Sequence, residues 1–235
     1  MVLVTVWSDI HCPWATVTVH RLRAAREARG LDVRFDPRPW PLELVNRQGT
    51  PRAIVTTEAA VLANHEPDLF SAYRNASWPS TFLPAFELVA AARRLYGVPG
   101  AEEVDWALRR AFFRHGVDVS VAAGLARALE LVSPTPGFDA EEVLRVWRSE
   151  PVRADVFADY ERSARLPIQG SPQVFWPDGS TVHNPGLTEH TWVRGIPRVH
   201  VDDRQLPGRL LAQALGLVEA TSPAEGTEDH HGEQR

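Results

Sequence analysis

The chain has 235 residues, 44% of them hydrophobic and 23% charged, which suits one globular domain with or without a large insertion. Its net charge of −5 argues against nucleic acid or an anionic membrane as the main partner. No apolar run approaches the ~20 residues of a membrane span, and no basic, apolar leader follows Met1, so we expect a cytoplasmic protein.

The first fifty residues predict a βαβ unit. Val2–Trp7 is a short β-branched run that indicates a buried strand. A helix follows, with Pro13 at its first position and Gly30 just past its end. Leu31–Phe35 alternates apolar and charged residues, which predicts a second strand parallel to the first.

A period of 3.6 residues dominates the long middle of the chain and predicts about five helices, most clearly at Thr81–Gly97 and Ala101–Gly116. Strand signals return at Gln173–Trp176 and Thr181–His183, which a Pro-Asp-Gly turn joins into a hairpin. Leu206–Leu217 is the last amphipathic helix. The order predicts an α/β fold in which helices are inserted between two halves of a small sheet.

These patterns divide the chain into four parts. Residues 1–50 form the N-terminal βαβ half, 51–167 the all-helical insertion, and 168–218 a C-terminal ββα half. Residues 219–235 are polar and contain Pro and Gly, which predicts a disordered tail.

Cys12 is the only cysteine, and it lies where the first strand passes into the first helix. A helix N-terminus favours the thiolate and brings the pKa of such thiols to roughly 3.5–7.5, against about 8.5 for a free cysteine. We therefore expect a reactive thiol that cannot close a disulfide within the chain. The alternative is a buried, unreactive cysteine.

Two neighbours of the thiol are candidate substrate-binding residues. His11, if protonated, raises the thiolate fraction; otherwise it is a loop residue at the mouth of a pocket. Trp14 either stacks on a flat substrate or packs against the protein. His183 and His190 are interpreted first as surface residues. No metal site is expected, because Cys12 has no partner at ligand spacing and the histidines are scattered.

Cys12-Pro13-Trp14-Ala15 at a helix start, the long helical insertion, and Gly170-Ser171-Pro172 before a ββα unit together resemble the DsbA-type thioredoxin fold. Within that fold, the sequence is similar to FrnE-like oxidoreductases and 2-hydroxychromene-2-carboxylate isomerases. The resemblance implies a thioredoxin-like βαβ…ββα core. It also implies that Cys12 is the attacking thiol, that Pro172 is a cis-proline facing it, and that the Ser171 backbone pairs with the substrate.

The sequence departs from that family at Ala15, where CxxC oxidoreductases have the second cysteine that resolves a mixed disulfide. Reversible addition of a single thiol to a conjugated double bond needs no second cysteine, so the first hypothesis is a cis–trans isomerase of a small-molecule substrate. The second is a monothiol oxidoreductase that uses a low-molecular-weight thiol. The third is a non-catalytic binding protein. No other cofactor is expected, and the oligomeric state stays open.

Overall fold

The computed structural model describes residues 2–70, 73 and 77–217, so the predicted tail at 219–235 lies outside the described part of the chain. Its main sheet has four strands in the order β2-β1-β3-β4. β1 pairs in parallel with β2 and antiparallel with β3, which in turn pairs antiparallel with β4. The strands are β1 (Val2–Ser8), β2 (Val33–Pro39), β3 (Gln173–Phe175) and β4 (Thr181–His183).

The predicted βαβ unit is present, with α1 (Pro13–Arg29) crossing between β1 and β2. Gly30 ends the helix in the left-handed conformation, with φ of 60°. The second strand begins later than predicted because the Leu31 amide still bonds to Arg26 at the helix end. It also runs on to Pro39, since an edge strand tolerates residues that lack an amide hydrogen.

The helices between β2 and β3 outnumber the five that the periodicity predicts, because two of them span a single turn that periodicity cannot detect. The two clearest predicted helices form one element, α5, interrupted at Gly97. The helices in this region are α2 (Leu42–Val45), α3 (Arg52–Leu62), α4 (Pro67–Phe70), α5 (Leu83–His115), α6 (Ala122–Leu129), α7 (Ala140–Ser149) and α8 (Val152–Ser163).

The apolar core is divided between the sheet and the helical region. One cluster joins the sheet and α1 and includes Val6, Leu22 and Val174. The other fills the helical region around α5, which packs on β2, α6, α7 and α8. Cys12 and Trp14 belong to this second cluster, so the start of α1 lies where the two halves of the core meet.

A second hairpin was not predicted. β5 (His190–Val193) and β6 (Ile196–Val199) form a separate two-stranded sheet, and β6 packs on α3. Its turn has Arg194 and Gly195 at positive φ, which is a turn signal the sequence does carry. The chain then enters α9 (Leu206–Ala214), which packs on α1. In the described part of the chain, no helix is both long and apolar enough to cross a bilayer.

Gly97 lets α5 change direction, because its φ of 65° and ψ of −153° are accessible to glycine alone among the common residues. We expect Gly97→Ala to lower the free energy of unfolding by about 1–3 kcal/mol. The matched control is Gly49→Ala, where φ is not positive and an added Cβ meets its nearest atom at 3.7 Å. Equal urea midpoints for the two variants would contradict this account of the break.

Candidate active site

The thiol stands at the turn that joins β1 to α1. Cys12 is the N-cap of α1, with φ −78° and ψ 116°, and Pro13 occupies the first helical position. The Cys12 carbonyl accepts hydrogen bonds from the Thr16 amide and the Thr16 hydroxyl, both at 3.1 Å. These bonds fix the backbone of Cys12 at the start of the helix, which is the position that the sequence predicts.

Asp9 connects this turn to two distant segments. Its amide donates to the Ser171 hydroxyl at 2.8 Å, across from the start of α1. One carboxylate oxygen accepts the His11 amide at 2.9 Å, and the other accepts the Leu42 amide at 2.6 Å. Asp9 is fully buried, so these bonds form where water cannot compete for them. The turn before Cys12, the loop of Ser171 and the start of α2 are therefore held as one unit.

Arg109 supports the same turn from α5, and it is 1% exposed. Its guanidinium donates to the Asp9 carbonyl at 2.9 Å and to the Ser8 hydroxyl at 2.8 Å. Asp105, one helical turn earlier, accepts two further bonds at 2.8 and 3.1 Å. The long central helix is thereby anchored to the residues that position Cys12.

The thiol faces the loop that precedes β3. Its sulfur donates a hydrogen bond to the Ser171 carbonyl at 3.2 Å, and the Ser171–Pro172 peptide bond is cis. His183 of β4 lies behind this loop, with Nδ1 at 3.0 Å from the Pro172 carbonyl. Gly170 makes room for that ring, because a Cβ there would meet the imidazole at 2.7 Å. Cys12, Ser171 and Pro172 are therefore brought together.

The expectation of an ionised thiol at this helix N-terminus is wrong. Cys12 is 5% exposed, and burial raises its pKa to about 12, with the negative charges of Glu58 and Asp9 adding to the effect. Hydrogen bonding at Ser171 and at the Ala15 amide acts in the opposite direction and does not compensate. The thiol therefore keeps its proton at neutral pH.

His11 is not at the mouth of a pocket, as one interpretation had it. The side chain is fully buried, its ring stacks on Phe82 at 4.0 Å, and Nδ1 lies 2.5 Å from the Asp9 carboxylate. Among the residues that the structure describes, Nε2 has no hydrogen-bond partner. Because the ring is sealed from solvent, it cannot contact a substrate without movement of its neighbours, and its substrate-binding role stays a prediction.

Trp14 is packed rather than open to a flat substrate. It is 6% exposed, and its ring stacks on His190 of β5 with centroids 4.5 Å apart. Its indole N–H donates to the Glu58 carboxylate at 2.9 Å. Burial raises the pKa of Glu58, while the bond from Trp14 and the charge of a protonated His11 oppose that shift. Trp14 thus joins α1, α3 and the second hairpin beside the thiol.

Several residues of this site were missed or misjudged from the sequence: Asp9, Glu58, Asp105, Arg109, His183 and His190. Asp105 and Arg109 are spaced i, i+4, a signal for their ion pair though not for the contact with Asp9. The two histidines were interpreted as surface residues, but each has a ring partner or backbone partner near Cys12. Glu58 carries no motif, and only the packing of α3 on α1 brings it to the indole of Trp14.

Metal ligands do not cluster in this site. Among residues 2–70, 73 and 77–217, no group of three His, Cys, Asp or Glu side chains is arranged to hold a metal ion.

A family model described as a DSBA-like thioredoxin domain matches residues 3–188. No curated protein matches the chain. Among solved structures, a probable DsbA oxidoreductase from Streptomyces coelicolor is 21% identical, with a TM-score of 0.63 over 96% of this chain and 94% of that one.

Two further solved structures have the same fold at lower similarity. One is the cytosolic disulfide reductase DsbM from Pseudomonas aeruginosa with GSH, which is 20% identical to this chain. Its TM-score is 0.56 over 92% of this chain and 100% of that one. A 2-hydroxychromene-2-carboxylate isomerase is 13% identical, with a TM-score of 0.53 over 92% of this chain and 100% of its own. At these identities, the likeness establishes the fold.

Loss of Arg109 should destabilise the fold as well as the turn. We expect Arg109→Met to cost about 3–5 kcal/mol of unfolding free energy, because Asp105 is left as an uncompensated buried charge. Adding Asp105→Asn to the same chain should recover part of the loss. Urea denaturation of both variants checks this, and a double variant no more stable than Arg109→Met would count against the charge argument.

Burial of the thiol should also be visible in the pH dependence of stability. The folded state holds the Cys12 proton more tightly than the unfolded chain, so stability is complete below about pH 8.5 and falls as pH rises towards the folded pKa. Between about pH 8 and about pH 10, we expect the wild type to lose about 2 kcal/mol more than Cys12→Ser. Parallel losses in urea denaturation would show that Cys12 does not titrate this way.

Proposed function

We propose that this chain, which belongs to the DSBA-like thioredoxin domain family, is a cis–trans isomerase that acts by reversible addition of Cys12 to a small conjugated substrate. Members of this family are thiol-dependent oxidoreductases or isomerases. The proposal includes a cytoplasmic setting, in which a lone cysteine stays reduced.

The observation that carries the proposal is a lone protonated thiol opposite the cis-proline loop. Ala15 is fully buried at the position of the family's second cysteine, so nothing in the chain resolves a disulfide on Cys12. Addition and elimination need no such partner. They begin and end with the same S–H group, which is the form that the site stabilises.

The reaction balances without an oxidant or a reductant. The thiol loses its proton to a base, the sulfur bonds to the carbon remote from the substrate carbonyl, and the π electrons move to the carbonyl oxygen. The former double bond is now single and rotates. The electrons then return, the C–S bond breaks, and the sulfur regains its proton.

The charges around Cys12 favour a substrate that is neutral near its reacting carbon. Glu58 and Asp9 both disfavour negative charge at the sulfur. Cys12 also shares its apolar cluster with Phe82 and Phe86. A conjugated ketone or polyene therefore fits these surroundings better than a substrate with a carboxylate next to the double bond.

The second candidate is monothiol–disulfide exchange, and the bond between Cys12 and the Ser171 carbonyl favours it, because a mixed disulfide would form at that loop. The structure of DsbM with GSH suggests glutathione as the thiol. The raised pKa of Cys12 opposes this candidate, since a basic thiolate is a slow leaving group when a small thiol attacks the mixed disulfide.

The isomerase proposal is tested with a neutral cis-enone, such as the methyl ester of cis-β-acetylacrylate, followed by NMR. We expect wild-type protein to accelerate conversion to the trans isomer and both Cys12→Ala and Cys12→Ser to abolish the acceleration. Unchanged turnover in Cys12→Ala would remove the mechanism. Incubation with oxidised glutathione provides the contrast: a stable adduct on Cys12 and catalysed thiol exchange, without isomerisation, would favour the second candidate.

A further inference from the structure

We propose that His183 is a positioning residue for the reaction of Cys12, because it supports the loop whose Ser171 carbonyl faces the thiol. The inference rests on the proposed function, since it names a residue that prepares the thiol site for addition. A side chain that does not touch the substrate can set a rate in this way, because displacement of a reacting group by ~1 Å costs up to ~100-fold.

The Ser171 carbonyl is the acceptor of the Cys12 S–H group, at 3.2 Å from the sulfur. The Ser171 hydroxyl accepts the Asp9 amide at 2.8 Å, which joins this residue to the turn that precedes the thiol. That bond holds the side chain of Ser171. The direction of its carbonyl depends on the backbone on either side, at Gly170 and Pro172.

His183 contacts the loop on both sides of Ser171. Its Nδ1 lies 3.0 Å from the Pro172 carbonyl. A carbonyl oxygen can only accept, so Nδ1 carries the proton in this bond. The ring also lies against Gly170, where a Cβ would come within 2.7 Å of the imidazole Cε1. The imidazole therefore joins the two residues that flank the acceptor of the thiol.

The position of His183 is itself fixed by the sheet. His183 pairs with Gln173 in the register of β3 and β4, and the next residue, Asn184, donates its amide to the Pro172 carbonyl at 3.0 Å. That carbonyl therefore keeps one hydrogen bond when the imidazole is removed. Burial lowers the pKa of His183, so the ring is neutral at neutral pH and acts on the loop through its hydrogen bond and its contact.

A fixed loop affects both the orientation and the protection of the thiol. With the Ser171 carbonyl in place, the S–H group has one acceptor in a defined direction, and Cys12 is only 5% exposed. If the loop moves, the sulfur loses that orientation and becomes accessible to water and to small reagents. His183 should therefore influence the rate of addition and the reactivity of Cys12 towards an unrelated alkylating agent.

His183→Leu and His183→Asn test the inference, because leucine has no donor whereas the asparagine amide nitrogen can replace Nδ1. In His183→Leu, alkylation of Cys12 by iodoacetamide should become about 3–10-fold faster, as expected when a loop loses one hydrogen bond. The kcat for the neutral cis-enone should fall about 10-fold with little change in KM. His183→Asn should restore both rates towards those of wild type. The matched control, His200→Leu, removes a bond of 2.8 Å to Thr191 on the second hairpin and should change neither rate.

Gly170→Ala tests the contact with the ring independently. The added Cβ should displace the imidazole, so this variant should reproduce the faster alkylation of His183→Leu. In the His183→Asn background, the same substitution should have a smaller effect, because asparagine has no atom at the position of Cε1. Equal effects of Gly170→Ala in the two backgrounds would contradict the contact on which the inference depends.

The outcomes separate this inference from the proposed function. If His183→Leu keeps full kcat while Cys12→Ser has none, His183 is not a positioning residue and the isomerase proposal stands. If wild-type protein shows no Cys12-dependent turnover, the isomerase proposal fails, and the alkylation rates still decide whether His183 holds the loop. Equal alkylation of wild type and His183→Leu, with thermal melts confirming a folded variant, overturns the inference. A His183→Asn variant that behaves like His183→Leu also overturns it.

Discussion

The buried carboxylate of Asp9 is the interaction on which the site depends. A buried charge is tolerated only where hydrogen bonds replace its lost hydration. Here the bonds come from the amides of His11 and Leu42, which belong to different segments. Arg109 bonds to the Asp9 carbonyl and secures the same turn from the central helix. The helical region is therefore more than an insertion on a thioredoxin-like sheet, because it supplies the charge that holds the thiol-bearing turn.

The state of Cys12 is decided by a competition between a helix end and the surrounding core. A helix N-terminus stabilises a nearby negative charge by about 0.3–1 kcal/mol, and by ~2 kcal/mol in favourable geometry. A pKa raised to about 12, from about 8.5 for a free cysteine, corresponds to about 5 kcal/mol against the thiolate. The effect of burial on the thiol pKa exceeds that of the helix N-terminus, because the start of α1 lies within the apolar cluster of the helical region. Position at an N-cap thus does not by itself activate a cysteine.

Sequence reasoning succeeded where the signal was local. The βαβ unit, the β3–β4 hairpin and the end of α1 at Gly30 all follow from short-range periodicity and turn residues. It failed where tertiary packing decides. The exposure of Cys12 and His11 depends on how α3 and α5 cover the turn, and no pattern within either segment encodes that. The contact of Glu58 with Trp14 could not be predicted for the same reason, since the two residues lie on different helices.

The missing second cysteine and the protonated thiol point to the same kind of chemistry. A dithiol oxidase needs an unstable disulfide and therefore a stabilised thiolate, so that electrons pass readily to the enzyme. This site has Ala15 where the second thiol would stand, and acidic rather than basic groups act on Cys12. The resting state of Cys12 is therefore the thiol. Because the chain has no second cysteine, no other thiol of the same chain can release a disulfide-bonded adduct from Cys12. The proposed cycle, which forms a bond to carbon and releases it by returning a proton, is compatible with both features. The redox reactions of the wider family do not transfer to this chain by fold alone.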